Sequence, residues 1–86
     1  MSEAQLKSAC KKLLEKRGWM VVHLIQTNLN GICDTLILKN GRAVFIEFKV
    51  PGKEPRELQL YRIRKLREQR FETIIVHRIE DINHLE

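Results

Sequence analysis

The sequence lacks any apolar run long enough to span a bilayer, which excludes a membrane-spanning helix. It has only two cysteines, Cys10 and Cys33, too few for a disulfide scaffold. Their spacing to each other and to His23, His77 and His84 matches no zinc pattern. A reduced, cytoplasmic setting is the expectation. The chain opens on a polar helix-start pattern rather than a secretory signal, and it carries no repeat, low-complexity segment or linker. What is there is 43% hydrophobic and 31% charged, the balance of a folded chain rather than a disordered one. The 86 residues are expected to form one domain, 1–86, with an adequate but not large core. A formal net charge of +5 points toward a polyanionic partner.

The most informative stretch runs from Gly31 to Lys49. Two β-branched, apolar runs, Ile32 to Leu38 and Ala43 to Phe48, flank Asn40-Gly41, the strongest short signal for a two-residue hairpin turn. With Asn40 and Gly41 as the turn, Lys39 faces Arg42 and the ladder sets Asp34 directly opposite Glu47. Cβ atoms of such a pair lie roughly 4.5–5.5 Å apart, and like charges so placed repel. Strand alternation puts Lys49 on the same face as Glu47. Two carboxylates about one rung apart suit Mg²⁺ or Mn²⁺, which combine one or two carboxylates with water and phosphate oxygens. An ammonium beside them can orient a water and neutralise charge developing at phosphorus. The three residues equally describe a plain ion pair at a sheet edge, and the hairpin alone does not choose between the two.

Around the hairpin the order reads α-β-β-β-α-β. Ser2 and Gln5 form a capping-box pattern, and Leu6, Ala9, Cys10, Leu13 and Leu14 recur at helical spacing until Gly18, which predicts a helix over 3–17. Its outer lysines, Lys7, Lys11, Lys12 and Lys16, read as a solvated face, and Glu3 in the first turn suits the helix dipole. Trp19 to Ile25 reads as a strand, with His23 a packed or edge residue within it. Pro55 suits the start of a helix over 55–69, in which Gln59, Leu60, Ile63 and Leu66 share the sector expected to lie on the sheet. Leu58 and Tyr61 fall on a second apolar side. Phe71 to His77 reads as a strand parallel to the third, and the tail as a turn packing Ile82 and Leu85.

Gly31 with Asp34, then Glu47-Phe48-Lys49, then Gln59 in the following helix, resemble the PD-(D/E)XK nuclease superfamily. More narrowly, they resemble the virus-type replication-repair nuclease (VRR-NUC) domain in its minimal, stand-alone form. The resemblance spans nearly the whole chain and implies an α/β, restriction-endonuclease-like core with a mixed four-stranded sheet flanked by helices. It implies a Mg²⁺- or Mn²⁺-dependent endodeoxyribonuclease, selective for branched DNA such as Holliday junctions and acting as a homodimer in DNA repair, with no small-molecule cofactor. Asp34 and Glu47 would be metal ligands, joined by the Phe48 backbone carbonyl and by Glu3, with Lys49 and Gln59 completing the catalytic set. The size and the resemblance are compatible with a phage or mobile-element origin. The chain departs from the family pattern at Cys33, where proline is usual, and at Arg70, where a glycine commonly precedes the last strand. A catalytically weak or inactive DNA-binding module with the same fold is the alternative; a purely structural domain would leave the opposed carboxylates unexplained.

Overall fold

The computed structural model describes residues 1–86. Helix α1 (Glu3–Lys16) is followed by strands β1 (Met20–His23), β2 (Thr35–Lys39) and β3 (Arg42–Phe48), helix α2 (Glu57–Glu68), strand β4 (Glu72–Val76) and a 3₁₀ turn (Ile79–Ile82). The four strands form one mixed sheet in chain order: β1–β2 and β2–β3 are antiparallel and β3–β4 is parallel. This is the α-β-β-β-α-β order expected from the sequence, with a parallel last strand.

The local signals act as their chemistry dictates. Ser2 accepts from the Gln5 backbone N–H at 3.2 Å while the Gln5 side chain accepts from the Ser2 backbone at 2.8 Å, a complete capping box. Gly18 ends α1 at φ +94°, and Asn40 and Gly41 turn the β2–β3 hairpin at φ +48° and +78°. The hairpin register pairs Lys39 with Arg42 and runs to Thr35 with Ile46.

Leu6, Cys10 and Leu14 of α1 pack with Trp19, Ile37, Val44, Ile46, Phe48 and Val76 on one face of the sheet, and Ile82 and Leu85 of the tail join the same core. Alternation along β3 therefore sends Glu47 to the other face, where α2 brings Gln59 to it. Ile63 is the only buried residue within α2. Leu60, expected on the sheet-facing sector, is instead 43% exposed. The inward stripe of α2 is narrow, buried Ile63 with half-buried Gln59 and Leu66, and Leu60 lies about 100° from Gln59 around the axis.

Three boundaries shift by two or three residues from the sequence expectation. β2 begins at Thr35 rather than Ile32, so Asp34 stands just before the ladder. β1 stops at His23, and Ile25 is 93% exposed beyond it. α2 begins at Glu57 rather than Pro55 because Gln59 Oε1 accepts from the Arg56 backbone N–H at 2.8 Å, which makes extended Arg56 the capping residue.

Candidate active site

Glu47 is the centre of the site. It is the next-to-last residue of β3, is 2% exposed, and is the only buried carboxylate of the chain. One oxygen, Oε2, accepts from Gln59 Nε2 at 3.2 Å and faces Lys49 Nζ at 3.7 Å. The other, Oε1, is buried with no hydrogen-bond partner. Burial, followed by the charge of Asp34, pushes the Glu47 carboxyl up to about 7, with Glu3 adding to the rise while Lys49 and Lys7 oppose it.

Asp34 is held by contacts that the hairpin register does not itself supply. It lies one residue outside β2, where its carbonyl accepts from Leu24 N–H at 2.7 Å. Its carboxylate accepts from the Thr35 hydroxyl at 3.0 Å and pairs with Lys7 Nζ at 3.2 Å. Thr35 spends its single hydroxyl proton on Asp34, so it accepts from His23 Nδ1 at 3.2 Å, and that ring nitrogen carries a proton. Asp34 is thus the compensated carboxylate and Glu47 the strained one.

Lys7 is the residue that sequence reasoning missed. Its place among the outward lysines of α1 reads as solvated, yet it is half-buried and reaches the segment before β2. Its only local signal is its position one helical turn after Glu3. Glu3 itself is exposed in the first turn of α1, close enough to affect Glu47 by charge. No three His, Cys, Asp or Glu side chains converge as a ready ligand group, so Glu3 stands apart from the Asp34–Glu47 pair. Gln59 makes two bonds, to the Arg56 backbone and to Glu47, and so ties the start of α2 to the carboxylate. Gly31 holds the same helix start close. A Cβ there would meet Leu58 Cγ at 2.7 Å, and its φ of +80° favours glycine.

A desolvated carboxylate with one unpartnered oxygen, and a second carboxylate raising its energy, suit a hard divalent cation. Cys33 is fully buried and its thiol is pushed up to about 12, chiefly by desolvation and then by Glu47 and Asp34, so it stays protonated and inert. The surface hollows lie elsewhere: one is lined by residues from Leu24 to Ile32, the other by Met1, Leu6, Pro51 and residues from His77 to Glu80.

A solved structure described as a VRR_NUC domain is similar to this chain, with TM-score 0.86 and 24% sequence identity, over 96% of this chain and 91% of that chain. No protein-family model matches the sequence, and no curated protein does. The likeness establishes the fold: this chain has the VRR-NUC architecture, the mixed four-stranded sheet flanked by helices. No helix is long and apolar enough to cross a membrane.

Proposed function

We propose that the chain is a single nuclease domain, residues 1–86, that hydrolyses DNA phosphodiesters with the help of Mg²⁺ or Mn²⁺. The observation that carries this reading is Glu47: a carboxylate only 2% exposed, with one oxygen unpartnered and an ammonium 3.7 Å from the other. A plain structural ion pair accounts for Lys49 but not for the unpartnered oxygen, which costs free energy unless a further cation or donor meets it.

Asp34, Glu47 and the Phe48 carbonyl would hold the metal, with Glu3 contributing from α1 through water. When bound, the ion supplies Lewis-acid polarisation of a phosphate oxygen and a more acidic water. Lys49 orients the incoming water and offsets charge developing on the phosphoryl oxygens. Gln59 holds Glu47 by its Oε2, leaving Oε1 for the ligand. Lys7 fixes Asp34 and lowers the repulsion between the two carboxylates.

Branched DNA is the proposed substrate, and a two-fold homodimer the proposed form, so that two sites address opposing strands. Leu58 and Tyr61 are 45% and 39% exposed on α2, about 60° apart around its axis, and offer an apolar side for a second copy. Sedimentation at micromolar protein is expected to show a dimer, and monomer alone would remove the basis for paired cleavage.

The test is cleavage of a labelled four-way junction, a matched duplex and single strands in Mg²⁺, Mn²⁺ or EDTA. Metal-dependent cutting supports the nuclease, and symmetric nicks confined to the junction support branch selectivity. Binding without cutting in either metal would favour a non-catalytic DNA-binding module.

A further inference from the structure

Lys49 lies one residue past the end of β3, where the β3–β4 ladder stops at Phe48 paired with Val76. A residue beyond the end of its ladder needs other contacts to hold its ammonium beside Glu47. Two bonds from β4 and the residue after it replace the missing ladder. The Lys49 backbone N–H donates to the Val76 carbonyl at 3.0 Å, and the Lys49 carbonyl is met by His77 Nδ1 at 2.9 Å. A carbonyl only accepts, so Nδ1 carries the proton, and the neutral ring has its proton there rather than on Nε2.

His77 is itself fixed. Its backbone N–H donates to Asp81 Oδ2 at 2.9 Å, and the Arg78 N–H reaches the same oxygen at 3.1 Å. Asp81 stands in the 3₁₀ turn that is anchored in the core by Ile82 and Leu85, both fully buried. On the other side of Lys49 the chain enters the turn closed by Lys53 N–H on the Val50 carbonyl at 3.1 Å, and Pro51 within it has no N–H to offer.

We infer that His77 is a positioning residue for Lys49: its ring clamps the Lys49 carbonyl and passes the rigidity of the Asp81 turn to the strand end that carries the active-site ammonium. This inference rests on the nuclease reading and assigns a residue the sequence did not single out. The hydrogen bond, rather than the bulk of the ring, carries the effect. His77→Phe keeps an aromatic ring and removes the donor, whereas His77→Asn offers an amide N–H near the place of Nδ1.

The experiment combines kinetics with a structural readout independent of activity. In single-turnover cleavage at saturating DNA with Mg²⁺, His77→Phe is expected to lower the rate roughly ten- to a hundredfold with DNA affinity unchanged, as expected of a displaced catalytic group. His77→Asn is expected to recover most of that loss, with both variants checked for wild-type circular dichroism. Nitrogen-15 NMR of the wild type is expected to show His77 protonated at Nδ1 and coupled to the Lys49 carbonyl. A neutral ring protonated only at Nε2, a full rate in His77→Phe, or equal losses in the Phe and Asn variants would each overturn the inference. Wild type and Lys49→Ala run in parallel separate the two failures. An inactive wild type defeats the nuclease reading and this inference with it, whereas an active, Lys49-dependent wild type beside a fully active His77→Phe defeats the clamp alone.

Discussion

Lys49 reaches Glu47 at 3.7 Å on one carboxylate oxygen and leaves the other buried and unpartnered. The ammonium therefore answers only part of the cost of burying this charge. Asp34, by contrast, has both Lys7 at 3.2 Å and the Thr35 hydroxyl at 3.0 Å. The uncompensated charge of the site is on Glu47.

That asymmetry sets a pH dependence. Desolvation, then Asp34, raise Glu47 from its ordinary 4.5 to about 7 in the folded protein. Between those values the native state binds the proton more tightly than the unfolded chain, so stability from this group is present below about pH 4.5 and is lost as pH rises through about 7. Melting in EDTA is expected to be lower at pH 8 than at pH 5.5 by this contribution. Glu47→Gln is expected to raise the pH 8 melting temperature and flatten the difference. An unchanged pH response in the variant would count against Glu47 as its source.

Gln59 joins the start of α2 to the carboxylate, bonding the Arg56 N–H at 2.8 Å and Glu47 Oε2 at 3.2 Å. Gln59→Ala removes a capping acceptor and leaves Oε2 without its amide donor, and is expected to cost about 1–2 kcal/mol in urea unfolding. Cleavage is expected to fall as well, since the carboxylate is no longer held. Loss of stability with a full rate would make Gln59 a helix cap alone.

Arg70 sits between α2 and β4 at φ +67°, a left-handed conformation that favours glycine. The side chain is exposed and makes no hydrogen bond or ion pair. Arg70→Gly is expected to stabilise the fold by about 1 kcal/mol, or a rise of about 4–8 °C in Tm for a domain of this size. A lower Tm would show that the arginine side chain matters more than its backbone strain.

These residues show how far the sequence carries. The Asn40-Gly41 turn fixes the hairpin locally, so its register was legible to Thr35–Ile46. Asp34 stands one step beyond, where the chain leaves the ladder and Thr35 and Lys7 hold its side chain. The capping box of α1 was legible because both partners lie within one turn. Lys7 was not, because helical periodicity places it with solvated lysines and its partner lies on another element. The same holds for Arg62 and Arg67 of α2, which look like free surface charge but donate to the Asn30 carbonyl at 2.9 Å and the Thr73 carbonyl at 2.8 Å. Arg70 was marked by its departure from the family pattern, and the positive φ shows that the backbone kept the glycine-like turn.

The most direct measurement is the single-turnover cleavage rate of Lys49→Ala against wild type, at saturating DNA with Mg²⁺, together with the DNA affinity of each. The variant is expected to bind DNA nearly as well and to cleave at least about a hundredfold more slowly, the usual scale for losing one such electrostatic group. Equal rates would contradict the role given to Lys49 and leave the Glu47–Lys49 contact a structural ion pair.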